Sequence, residues 1–152
     1  MTVCKRNMEI NCRLEEAFDF VALWSNLRDF MPMFVDLKPV SLVHYGQGLS
    51  LETKVALGKV EVSTTLDLIE FDRNRRILYK SARGIRSKLS WEFSKLPRDN
   101  TLVSFTFEYE IPPALVTHES EKDALSKQLQ ETANKSVDML KWILESKDKE
   151  GS

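Results

Sequence analysis

The chain has 152 residues, 42% of them apolar and 30% charged, with a formal charge of −1. That is enough chain for one domain that buries its core without disulfide or metal staples, and its near-neutral balance exerts no global attraction on nucleic acid or on an anionic membrane. No apolar run approaches the roughly 18 residues needed to span a bilayer. The N-terminus alternates instead of forming a signal-peptide core, so the sequence reads as a cytoplasmic protein.

The first element is a strand. Cys4, Met8, Ile10 and Cys12 share one face and Lys5, Asn7, Glu9 and Asn11 the other, with Arg6 interrupting the apolar face near its start. On an extended strand the two cysteines lie about 26 Å apart. They cannot pair with each other, and two lone thiols do not make a metal site. The spacing then turns helical over Leu14–Ser25, with Leu14, Phe18, Val21 and Leu23/Trp24 as the apolar stripe. A second short helix is expected over Asn26–Phe34, limited by Pro32. Its Leu27, Phe30, Met31, Met33, Phe34 and Val35 form a soft apolar cluster, either core packing or a mobile lip over a cavity.

From there the period is two. Val40 and Leu42 lead to a turn at Gly46-Gln47-Gly48, and Leu49, Leu51, Thr53 and Val55 make the next strand, ended by Leu57-Gly58. Val60 to Leu68 form a long strand whose phase slips at Ile69 and Phe71, as at a bulge. Ile77, Tyr79 and Ser81 follow the Asp72-Arg73-Asn74 turn. Ile85 to Phe93 follow Arg83-Gly84, and Val103 to Ile111 follow a polar hairpin at Pro97–Asn100. Six strands joined by short turns, added to the first, make an antiparallel meander with one wet face. Pro112-Pro113 stops the sheet. Ser120 with Asp123 has the form of a capping box, and one long amphipathic helix runs from about Ser120 to Lys147. Its inward stripe is Leu125, Leu129, Ala133, Val137, Leu140 and Leu144, with Thr132 and Ser136 beside it; Lys147–Ser152 reads as a solvated tail. Small residues in mid-stripe, opposite a curved sheet, leave volume unfilled, and such hollows bind apolar molecules.

Four stretches give this order a family likeness: Ile10-Asn11 with Glu16-Ala17-Phe18-Asp19; Phe30-Met31-Pro32; Asp72-Arg73-Asn74-Arg75-Arg76-Ile77; and Tyr109-Glu110-Ile111-Pro112-Pro113. The chain resembles the START-like helix-grip superfamily, most of all its polyketide cyclase/dehydrase and lipid-transport branch, over about residues 3 to 146. The resemblance implies an α+β fold: a seven-stranded curved antiparallel sheet wrapped around a long C-terminal helix, with two short helices after the first strand. It also implies a single START-like ligand-binding domain over residues 1–152 and an interior pocket for a lipid, sterol, quinone, plant hormone or polyketide. None of the four stretches is a catalytic signature, and fold by itself does not decide function.

Candidate residues follow from strand phase. His44, Thr53, Thr64, Tyr79, Ser81, Ser87 and Tyr109 fall on the apolar faces, where no Asp, Glu, Lys or Arg is in phase at the clear strand centres. Such a pocket orients a carbonyl or hydroxyl but is poorly equipped to stabilise developing charge. The expected ligand lining is Trp24, Phe30, Phe34, Thr64, Tyr79, Trp91, Phe105, Leu129, Ala133 and Ser136. For each the plainer reading is core packing. His44 and Tyr79 are the weak acid–base candidates; His118 reads as a loop residue. The glycines serve turns and form no phosphate cradle, no Cys/His cluster is present, and neither a cofactor nor a metal is expected.

Arg73, Arg75, Arg76, Lys80, Arg83, Arg86 and Lys88 come without an intervening acid. The charges suit a solvated hairpin, or a contact with anionic lipid headgroups or an acidic protein through Arg73, Arg75, Arg76, Arg83 and Arg86. Nucleic acid is not expected, since no exposed aromatics are interleaved with them. The leading expectation is binding or transport of a hydrophobic or amphipathic small molecule such as a lipid, quinone or polyketide. The alternatives are a cyclase or dehydratase using the same cavity and a ligand-free docking module. The sequence leaves the oligomeric state open.

Overall fold

Alternating apolar and polar residues carry the chain through seven strands: β1 (Thr2–Ile10), β2 (Phe34–Pro39), β3 (Ser50–Leu57), β4 (Val60–Asp72), β5 (Arg76–Ser81), β6 (Arg86–Leu96) and β7 (Asn100–Glu110). The coordinates are a computed structural model that describes residues 2–116 and 118–150, with side chains as far as Ser146. The strands form one antiparallel sheet in the order β1-β7-β6-β5-β4-β3-β2. Helices α1 (Leu14–Ala22) and α2 (Leu27–Phe30), with a 3-10 turn at Trp24–Asn26 between them, connect the two edge strands. Helix α3 (Glu119–Glu150) packs across the inner face, and the architecture is the expected helix grip.

The inner face reads directly from the register. Ile77 pairs with Trp91 and Trp91 with Phe105; Tyr79 pairs with Leu89 and Leu89 with Phe107. All six are buried. The helix stripe that meets them is buried as well, from Leu129 through Ala133, Val137 and Leu140 to Leu144, with Leu125 half-buried. Burying each such leucine contributes about 1.5–3 kcal/mol. Polar contacts then orient the helix against β1. Arg6 donates to the Asn134 carbonyl (3.1 Å) and to Asp138 Oδ1 (3.0 Å), and Lys141 donates to the Glu9 carbonyl (2.7 Å). The Arg6–Asp138 pair is largely exposed, and such pairs contribute only about 0–1 kcal/mol. The apolar stripe therefore holds α3, and the arginine that interrupts the apolar face of β1 serves to clip its edge.

Several boundaries differ from the pattern reading, each for a local reason. Helix α2 stops at Phe30 instead of running to Phe34, because Met31 precedes Pro32 and leaves the helical region (φ −124°, ψ 72°). Phe34 then opens β2, paired with Val55. The segment expected as a strand at Val40 and Leu42 is a loop. The real strand lies earlier, and its period-two signal is broken by a bulge between Val35 and Lys38 where Asp36 takes φ +59°. The slip anticipated at Ile69 is real, a register shift between Leu68 and Glu70. Helix α3 opens one residue before the expected cap, with the His118 carbonyl accepting from the amides of Glu121 and Lys122, so Ser120 sits inside the first turn. Its backbone continues past Lys147 to Glu150. The side chains of the expected tail, and residues 151–152, lie outside the described residues.

The loop between β5 and β6 is pinned to β4. Thr64 Oγ1 and Ser81 Oγ contact each other, and both reach the Arg83 carbonyl, at 2.6 and 2.9 Å. Gly84, at φ +66°, lies so close that an added Cβ would stand 2.2 Å from the Ser63 carbonyl oxygen. Gly84→Ala should therefore destabilise the fold by more than the roughly 1–2 kcal/mol of left-handed strain alone. Gly46→Ala, where φ is +84° but the nearest atom is 3.8 Å away, should incur only that strain. Urea unfolding midpoints of the two variants test the difference.

Candidate functional site

The layer between the sheet and α3 is built from rings that the strand register places side by side. Trp91 is its centre. Its ring lies edge-on to Phe30 (6.1 Å, 77°) and to Tyr79 (6.3 Å, 87°) and tilted against Phe105 (5.7 Å). Phe30 arrives from α2, where it also touches Phe20 of α1 at 5.9 Å. From the helix side come Leu129, Ala133 and Ser136, all buried. Of the expected lining, Phe30, Phe34, Thr64, Tyr79, Trp91, Phe105, Leu129, Ala133 and Ser136 are buried, while Trp24, in the 3-10 turn, is half-buried against the core. The rings line the sheet side of the layer, opposite the small residues of the helix stripe.

Nearly every hydroxyl in this layer already has a partner. Thr53 donates to the Val35 carbonyl (2.8 Å), Ser136 to the Thr132 carbonyl (2.9 Å) and Thr101 to the Cys12 carbonyl (2.8 Å). Tyr109 Oη meets Ser126 Oγ at 2.6 Å. Thr64 and Ser81 close the β5–β6 loop as described. Two hydroxyl protons serve their three contacts, so one hydroxyl donates to the other and only the second donates to Arg83. Ser87, at the same end, keeps some exposure (8%).

Tyr79 is the exception. Its side chain is completely buried, and Oη has no hydrogen-bond partner. A buried polar group left without a partner costs about 1–3 kcal/mol. Burial also pushes the phenol well above its usual range, so at any physiological pH the group is a neutral O–H, able to donate and unable to act as a base. Arg6 of the edge strand β1 interrupts the apolar face in register with Phe105, and its guanidinium is taken up by Asn134 and Asp138. Cys4, on the same strand face, is also pushed up by burial, an effect that Arg6 opposes.

His44 does not join this layer. It is exposed on the loop between β2 and β3, because β2 ends at Pro39 and the apolar phase that included it is not a strand. His118 is exposed at the start of α3. The basic run is likewise not one patch. Arg73 and Arg75 flank the β4–β5 turn, whereas Arg83 and Arg86 stand at the other end of β5, a six-residue strand about 20 Å long. Arg73 pairs with Asp19 at 3.4 Å, and Arg76 lies between Glu70 (3.2 Å) and Glu92 (3.8 Å). Arg75, Arg83 and Arg86 are exposed. The acids missing from the local sequence are supplied by α1 and by neighbouring strands.

Two features had no clear sequence signal. Arg83 helps to line a groove of about 380 Å³ over β2–β4, together with Asp36, Lys38, Glu52, Lys54 and two residues of the inner phase, Thr53 and Thr64. A second ring cluster joins Phe18 to Phe71 and Phe93, each at 5.3 Å, with Tyr45 on Phe71. Phe18 was visible in the α1 stripe, but its partners depend on the β4 bulge. Among the described residues no group of three or more His, Cys, Asp or Glu is placed to hold a metal ion, and no helix is long and apolar enough to cross a membrane.

No family model and no curated protein matches the sequence. Solved structures do. The chain superposes on TTHA0849 from Thermus thermophilus with a TM-score of 0.74 at 17% identity, covering 92% of this chain and 94% of that one. It superposes on the Zhui aromatase/cyclase of a Streptomyces species with a TM-score of 0.79 at 12% identity, covering 95% and 93%. A START superfamily protein from Mycobacterium smegmatis gives 0.67 at 13% identity, covering 99% of both chains. At such identities the likeness is one of fold, and the fold of this chain is the START-like helix grip.

Proposed function

We propose that the protein binds a hydrophobic or amphipathic small molecule, of the lipid, quinone or polyketide kind, in the layer between its sheet and α3. The observation that carries this reading is the Tyr79 hydroxyl. An ordinary core position of this shape would hold phenylalanine, since an unbonded buried hydroxyl only costs stability. A ligand oxygen beside Tyr79 supplies the missing partner. Phe30, Phe34, Trp91 and Phe105 supply the apolar walls, with Thr64 at one end and Leu129, Ala133 and Ser136 as the helix wall. Phe30 and Trp24 are the movable part of that wall. They ride on a four-residue helix and a 3-10 turn instead of a paired strand, so shifting them breaks no ladder hydrogen bonds. The aromatase/cyclase among the similar folds and the START superfamily protein support a small-molecule ligand as the kind of partner this architecture accommodates.

An acid–base role for these side chains has weaker support. Tyr79 holds its proton too firmly to act as a base, and His44 is exposed on a loop away from the inner rings. A cyclase or dehydratase would need another group.

The direct test is extraction of the natively purified protein under denaturing conditions, followed by mass spectrometry. A stoichiometric apolar molecule is expected, and it should be absent from Ala133→Trp, whose indole would occupy the helix side of the layer. Recovery of the same molecule from a folded Ala133→Trp protein would place the ligand elsewhere and defeat the reading.

A second prediction concerns stability. In the ligand-free protein Tyr79→Phe should leave the unfolding free energy unchanged or raise it by up to about 1 kcal/mol, because it removes an unsatisfied group. The folded state keeps the Tyr79 proton while the unfolded chain releases it near pH 10. The stability tied to that proton is complete below about pH 10 and is lost as pH rises further. Wild type should therefore lose stability more steeply than Tyr79→Phe above that pH in parallel urea titrations. Equal slopes would mean that the phenol titrates freely in the folded protein.

A further inference from the structure

We infer that the groove over β2–β4 is a second binding site, for a small phosphate monoester that also carries an ammonium group. One arginine defines it. A hydroxyl of the buried Thr64–Ser81 pair donates to the Arg83 carbonyl, and Gly84 packs against the Ser63 backbone. The chain thus spends two buried hydroxyls and a glycine on fixing the backbone of Arg83. Its guanidinium lines the groove and makes no ion pair or hydrogen bond among the described residues. A loop held in place beforehand lowers the ordering cost of binding.

Strand pairing brings matching groups to that guanidinium. Lys54 of β3 is the cross-strand partner of Ser63 in β4, and Gly84 lies against Ser63 from the β5 side. Lys54 and the Arg83–Gly84 loop therefore flank Ser63, each about one strand spacing (about 4.8 Å) from it. Thr65 follows Ser63 in the same outward phase. The side chains of Lys54, Ser63 and Thr65 also have no partner among the described residues, and all three line the groove. These donors come from three directions, as a tetrahedral anion requires. A phosphate monoester offers them three terminal oxygens and about two negative charges. A carboxylate or a phosphodiester offers only two oxygens and one charge. The acids set the other end. Glu52 is paired with Lys38 at 3.7 Å, whereas Asp36, in the β2 bulge, has no ion pair among the described residues. A bare phosphate would meet that carboxylate as a like charge, and an ammonium on the ligand pairs with it instead. The three cations and two acids of the lining leave one positive charge, the complement of a phosphate dianion that carries one ammonium.

The probe is O-phosphoethanolamine, titrated by calorimetry at low ionic strength beside ethyl phosphate, which lacks the amine, and glycerophosphoethanolamine, whose phosphate is a diester. Wild type should bind the probe about tenfold more tightly than either, the effect of one charge-assisted contact. Arg83→Gln keeps the carbonyl that the hydroxyl pair holds and should weaken binding about tenfold. Asp36→Asn should bring the probe to the level of ethyl phosphate. Arg75→Gln, at the far end of β5, should change nothing. No binding by a protein shown to be folded by circular dichroism, or an affinity that survives Arg83→Gln, overturns the site. An equal loss in Arg75→Gln overturns it in favour of general charge attraction. Ethyl phosphate binding as tightly as the probe overturns the ammonium, and the diester binding as tightly overturns the monoester in favour of a lipid headgroup.

Discussion

Everything in this molecule depends on one covering contact. The sheet is apolar on a single face along all seven strands, and α3 is the one helix of the described chain long enough to lie across it. Hiding that face is what holds the fold together, because each large side chain buried there contributes a few kcal/mol while the exposed ion pairs contribute little (about 1 kcal/mol or less each). The helix can come close because Ala133 and Ser136 present almost no bulk in mid-stripe, with leucines on either side. Arg6 and Lys141 then fasten β1 to the helix with hydrogen bonds to backbone carbonyls. They orient a contact that the apolar stripe has already made favourable.

The same contact creates the tension at Tyr79. A covered layer excludes water, so every polar atom inside it needs a partner within the protein or brought from outside. Most inner hydroxyls find a backbone carbonyl within reach, often one exposed by an irregularity. Val35 beside the β2 bulge serves Thr53, and Arg83 in the β5–β6 loop accepts from one hydroxyl of the Thr64–Ser81 pair while the other donates within the pair. Tyr79 lies between Leu68, at the β4 register shift, and Leu89 of β6, and its hydroxyl at the far end of the ring meets no acceptor. Sites that break a local rule of this kind are where function is most often found.

Charge is handled in the opposite way. The seven basic residues between Arg73 and Lys88 have no acid among them in sequence, yet Asp19 of α1, Glu70 of β4 and Glu92 of β6 come to two of them. The length of β5 separates Arg75 at one end from Lys80, Arg83, Arg86 and Lys88 at the other, where Lys80 and Lys88 are cross-strand partners. Contacts from other elements thus neutralise part of what reads as a single basic run along the chain.

Much of this was legible in the order of residues. Period-two alternation from Leu49 to Ile111, the helical stripe from Leu125 to Leu144 and the stop at Pro112-Pro113 determine an antiparallel sheet closed by one long helix, because side-chain periodicity is set by local backbone geometry. The buried set around Trp91 follows from the same periodicity, and even the slip at Ile69 could be read in advance. What remained hidden depended on contacts distant in sequence. The bulge at Asp36 masked β2 and lent His44 a strand phase that it does not have. The partners of Arg73 and Arg76 come from other elements. Whether a given hydroxyl inside the layer is bonded or orphaned depends on which carbonyl the folded chain leaves beside it, and no spacing rule encodes that. By itself the sequence determined the layers and which faces meet, through local periodicity. Only the tertiary structure decided that Thr64 is bonded and Tyr79 is not, because hydrogen-bond partners are set by distances that exist only once the sheet has closed on its helix.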